Sequence, residues 1–136
     1  MSDSRCPTLA QLEHIALASD DVERLLDFYL LLGGVAVPLC GDPDLDRRSF
    51  VLDFCGVRVE LFERRDGGEG RTGKGCSTAL VHLGFALGSA DAVDELSQVL
   101  ARASYQVLAP PRRTCELGCY ESVVLDTDGN RVKLTV

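Results

Sequence analysis

Residues 49–61 read S-F-V-L-D-F-C-G-V-R-V-E-L, and residues 122–134 read S-V-V-L-D-T-D-G-N-R-V-K-L. Without a gap, Ser49, Val51, Leu52, Asp53, Gly56, Arg58, Val59 and Leu61 recur as Ser122, Val124, Leu125, Asp126, Gly129, Arg131, Val132 and Leu134. The echo extends upstream, where Leu12-Glu13-His14-Ile15 is matched by Leu80-Val81-His82-Leu83. A fold built from two copies of one unit tends to place its chemistry where the copies meet. The repeat therefore predicts a gathering of His14, Glu60, His82 and Lys133. Between copies, Glu60 becomes Lys133, so one charge of that set is reversed.

The chain has 136 residues, enough for one domain. Each half alone, at about 60 residues, would have a marginal core. The halves are therefore expected to fold together or to pair with the halves of a second chain. The boundaries read as module one over 9–63, a linker over 64–77 and module two over 78–136. The net charge of −7 argues against nucleic acid as a partner, since phosphate binding calls for a basic surface. No stretch is long and apolar enough for a membrane span, and no signal peptide is expected. Cys6, Cys40, Cys55, Cys76, Cys115 and Cys119 form no C-x-x-C pair and read as reduced thiols in a cytoplasmic protein. The glycine-rich linker lacks the spacing of a phosphate-binding loop.

Hydrophobic periodicity gives the order β-α-β-β-β twice. A strand over 11–18 is followed by Ser19-Asp20-Asp21 as cap and by a helix carrying Val22, Leu25, Leu26, Tyr29 and Leu30. Strands are then expected over 35–39, 49–54 and 57–63, the last two joined at Cys55-Gly56. In the second copy the strands fall at 78–87, 105–108, 119–125 and 131–136. A helix carries Ala92, Val93, Leu96, Val99 and Leu100, and 109–113 reads as a loop. Side chains alternate along a strand. That alternation puts His14, Arg58, Glu60, His82, Arg131 and Lys133 on faces turned away from the helices. If those faces curl together, they line one cup. Glu121 is a further carboxylate near the last hairpin, with its face left open.

The chain resembles the vicinal oxygen chelate superfamily, which includes glyoxalase I, bleomycin and fosfomycin resistance proteins and extradiol dioxygenases. The resemblance rests on H-I-A-L at 14–17, R-V-E-L at 58–61, V-H-L-G-F at 81–85 and G-C-Y-E-S-V-V-L-D-T-D-G-N-R-V-K-L at 118–134. It implies an α+β fold of two βαβββ modules forming an open eight-stranded cup, often in a homodimer. It also implies metal ligands at His14, Glu60, His82 and position 133, where the usual glutamate is Lys133. An ammonium group does not bind a cation. Two readings follow. In one, His14, Glu60 and His82 hold a divalent metal (Fe, Mn, Ni or Zn). The protein is then a glyoxalase-like lyase, isomerase or dioxygenase acting on a small substrate with neighbouring oxygens, with Glu60 and Lys133 as catalytic candidates. In the other, the site is metal-free, and a cationic cup of Arg58, Arg131 and Lys133 sequesters a small anionic ligand. In that reading Lys133 pairs with Glu60 and competes with a metal.

Overall fold

A computed structural model describes residues 10–38, 48–64, 81–114 and 119–136. The 64–77 linker, apart from Arg64, and the start of module two at 78–80 lie outside the described residues. Cys6, Cys40, Cys76 and Cys115 do as well, while Cys55 is a free thiol. The elements run β1 (His14–Ser19), α1 (Val22–Leu31), β2 (Val35–Ala36), β3 (Ser49–Phe54), β4 (Val57–Glu63), β5 (Leu83–Ala86), α2 (Ala90–Arg102), β6 (Val107–Arg113), β7 (Tyr120–Leu125) and β8 (Arg131–Thr135). They form two four-stranded sheets in the orders β1-β4-β3-β2 and β5-β8-β7-β6. In each, the first strand runs parallel to the last and the others are antiparallel. This is the expected α+β arrangement of two βαβββ modules.

Local chemistry sets the helices. Asp21 caps α1 by accepting from Arg24 N at 3.2 Å, and Ser19 Oγ accepts from Asp21 N at 3.0 Å. Ser89 caps α2 by accepting from Ala92 N at 3.1 Å. Each oxygen satisfies a donor that the first helical turn would leave bare. Val22, Leu25, Phe28 and Tyr29 of α1, and Val93 and Leu100 of α2, turn inward onto Leu52, Val59, Leu61, Val124, Val132 and Leu134. A single core therefore spans both modules. Aromatic rings close the seam between them: Phe28 meets Tyr105 edge-on at 5.0 Å, and Phe54 meets Phe85 at 5.0 Å. Tyr29 Oη donates to Asp126 Oδ2 at 2.8 Å across the same seam. A side chain at Gly34 would meet the end of the Phe54 ring at 2.7 Å and would have to displace it.

Three expectations need correction. First, 109–113 is not a loop but the continuation of β6. That strand lies at a sheet edge, where Pro110 and Pro111 need not donate to a ladder, and its register shifts around them. Second, β2 and β5 are shorter than their apolar runs, and β5 starts one residue after His82.

Third, the gap-free repeat does not survive as structural equivalence ahead of the last turn. In module one, Phe54 pairs with Val57 across a two-residue turn, with φ of 52° at Cys55 and 99° at Gly56. In module two, Leu125 pairs with Arg131 across the five-residue loop 126–130. The change from an even to an odd loop slips the register by one and flips every side chain of β7 relative to β3. Ser49 pairs with Phe62 on the Glu60 face, whereas Ser122 pairs with Leu134 in the core and meets Ser97 Oγ at 2.7 Å. The structural counterpart of Ser49 is therefore Glu121, opposite Thr135.

Candidate functional site

β1 and β4 lie side by side with His14 opposite Arg58 and Ala16 opposite Glu60. Val59 and Leu61 point into the core, so Arg58 and Glu60 point away from α1 together with His14. Ala16 keeps the neighbouring position small. His14 Nε2 comes within 3.4 Å of Glu60 Oε2. Donors held about 2.1 Å from a tetrahedral metal stand about 3.4 Å apart, so this pair has the spacing of two ligands on one ion. The other ring nitrogen, Nδ1, lies 3.3 Å from Glu13 Oε1. Arg58 Nη2 donates to the same Glu13 oxygen. The bonds to His14 and Arg58 hold the Glu13 carboxyl below the usual range. A carboxylate on Nδ1 orients the ring and leaves Nε2 to face Glu60, the usual outer support of a histidine ligand.

The second module is built differently. Lys133 Nζ forms an ion pair with Glu121 Oε2 at 3.3 Å, made possible by the register slip of β7. The predicted competition between Lys133 and Glu60 is thus absent: Glu60 meets His14 and Lys133 meets Glu121. The expected cationic cup of Arg58, Arg131 and Lys133 is partly neutralised in the same way, because Glu13 offsets Arg58 and Glu121 offsets Lys133. Glu121 is not a simple replacement for the missing ligand. Its row is that of Thr135, four residues beyond the row of Arg131 and His82, about 13 Å along the strands.

His82 sits just ahead of β5, exposed, on the wall of a cavity of about 630 Å3 between the modules, shared with Leu12, Ile15, Phe54 and Phe85. Within one chain it does not join His14 and Glu60. No group of three histidine, cysteine or carboxylate side chains is placed to hold a metal among the described residues. The structure therefore unites two of the sequence-predicted ligands and leaves the third apart. Arg131 is exposed beside Lys133 on β8. Sequence patterning missed Glu13 and left the face of Glu121 open. A signal for Glu121 lay in the unequal turn lengths. For Glu13 there was none, since strand alternation puts neighbours on opposite faces and Glu13 escapes this by preceding β1.

Comparison with known proteins places the fold. The chain superposes on a glyoxalase/dioxygenase from Nostoc punctiforme with a TM-score of 0.75 at 16% identity, covering 99% of this chain and 97% of that one. A glyoxalase/bleomycin resistance protein/dioxygenase family enzyme from Burkholderia phytofirmans PsJN gives 0.73 at 19% identity, with 93% and 98% covered. Lactoylglutathione lyase from Agrobacterium tumefaciens gives 0.65 at 21% identity, with 96% and 95% covered. At these identities the likeness is one of fold. No curated protein matches the sequence. The family model of the Glyoxalase/Bleomycin resistance protein/Dioxygenase superfamily matches residues 11–134, and the chain belongs to that superfamily.

Proposed function

We propose that the protein is a divalent-metal enzyme of this superfamily acting on a small molecule with neighbouring oxygens, as a lyase, isomerase or dioxygenase. The observation that carries the reading is the 3.4 Å approach of His14 Nε2 and Glu60 Oε2, with Glu13 behind the ring. His14 and Glu60 would hold one side of the ion. A homodimer would complete it with the partner's His82, giving two histidines and one carboxylate with positions left for substrate. Two exposed apolar residues favour such a partner: Leu12 and Val81 are each 67% exposed, Leu12 lining the same cavity as His82 and Val81 preceding that histidine. When bound, the metal would polarise the substrate oxygens as a Lewis acid. Glu60 is the carboxylate positioned to move a proton there. Lys133, tied to Glu121, is left to steady the substrate side of the cup.

The inter-module cavity favours a second reading, metal-free binding of a small ligand, because its volume falls within the range of small-molecule sites. One measurement separates the two. Tag-free protein purified without chelator, then offered Mn, Fe, Ni and Zn, is expected to hold about one metal per chain, with loss in His14→Ala. Metal-free protein under every loading condition would sink the enzyme reading and leave the ligand-binding one.

A further inference from the structure

Glu13 and Val81 occupy equivalent places in the two copies, each immediately ahead of a histidine. In module one the Glu13 carboxylate bridges a histidine and an arginine. It lies 3.3 Å from His14 Nδ1 and accepts from Arg58 Nη2. His14 and Arg58 are direct partners across β1 and β4.

Module two repeats the histidine and the arginine without the carboxylate. Leu83 pairs with Val132, so the register sets His82 beside Arg131. Val81 replaces the glutamate and is 67% exposed. Among the described residues, the side chains of His82 and Arg131 have no hydrogen-bond or ion-pair partner. Lys133 is occupied by Glu121, so it does not draw the arginine's ligand away. Space is also present, since a side chain at Gly84 would meet nothing within 4 Å. A guanidinium and an imidazole side by side form a paired donor set that suits a planar carboxylate.

We propose that His82 and Arg131 bind a carboxylate of the ligand, which takes in module two the position that the Glu13 carboxylate holds in module one. The internal stand-in is a carboxylate, so the ligand class is a small carboxylic acid. Where the metal reading holds, this narrows the substrate to an acid whose neighbouring oxygens reach the ion. The site itself needs no metal, so its test is separate from that of the enzyme reading.

The test uses metal-free full-length protein, with NMR detection of the His82 and Arg131 side-chain signals. Sodium acetate is titrated at ionic strength held constant with sodium chloride, and phosphate is run as a parallel arm. Saturable shifts at both side chains are expected with acetate. In Arg131→Gln, binding should weaken about tenfold or more. In Val81→Glu the new carboxylate should fill the site, so acetate no longer shifts His82. Unchanged backbone amide spectra report that each variant is folded. No saturable shift in the wild type, or equal acetate binding in wild type and both variants, would overturn the site. Tighter binding of phosphate than of acetate would overturn the carboxylate assignment.

Discussion

Tyr29 joins the two modules by a single hydrogen bond to a buried acid. Asp126 is 5% exposed and accepts four bonds, from Tyr29 Oη, Asp128 N, Asn130 N and Asn130 Nδ2. Burial and the adjacent Asp126 charge push the Tyr29 hydroxyl far above its usual range, so it stays a donor. Tyr29→Phe removes one bond to a charged group and is expected to cost about 1.5–3 kcal/mol in urea unfolding. Asp128, in the same loop, has its pKa raised from 3.8, first by burial and then by Asp126, against the opposing bond to Ser19. A raised carboxyl favours the protonated form in the fold. Its contribution is full below 3.8 and is lost as pH rises through the folded value. Asp128→Asn is therefore expected to raise the melting temperature at neutral pH, with the gain vanishing in acid; an equal gain at both pH values would rule out this origin. At this scale the sequence was partly legible. The histidines stood out because each copy holds one. Glu13 did not, because its role depends on a side chain curling round the start of a strand.

Element boundaries followed from pattern where forces are local. β3 and β4 occupy the expected residues, since an alternating pair around Cys55-Gly56 leaves little choice of register. The helices likewise began at their caps. The pairing of β7 with β8 was not legible. A gap-free match between the copies concealed an odd loop in the second, and loop length sets register. The Lys133–Glu121 ion pair is the consequence of that slip and can test it. Both groups are partly shielded, at 28% and 13% exposure. A double-mutant cycle with Lys133→Met and Glu121→Gln is expected to show coupling of about 0.5–1 kcal/mol, with most of it restored in the Glu121→Lys, Lys133→Glu exchange. Zero coupling would place the two side chains on different faces and contradict the slipped register. The proline-bearing β6 was illegible for a different reason: its residues forbid a central strand, and only the sheet order reveals that the strand is an edge.

At the scale of the whole molecule, the two modules share a core but, among the described residues, not a metal-binding group, and the proposed dimer rests on this asymmetry. Tyr29, Phe28 and Phe85 fasten the modules side by side, while His14 and Glu60 face away from that shared core. A βαβββ unit can be recognised from periodicity, but periodicity carries no information on which second unit its open face will meet. The proposed dimer predicts complementation. His14→Ala leaves module two intact, and His82→Ala leaves module one intact. Each variant alone should lose metal, because both of its composite sites lack one histidine. Unfolded together and refolded as a mixture, half the dimers should be mixed. Each mixed dimer joins one intact His14 half to one intact His82 half and ruins its other site. Metal binding should therefore return to about a quarter of the wild-type amount, measured by elemental analysis after gel filtration. If each chain built its own site, every site in the mixture would carry a lesion and nothing would return. Recovery would thus establish both that the histidines share an ion and that they share it across chains.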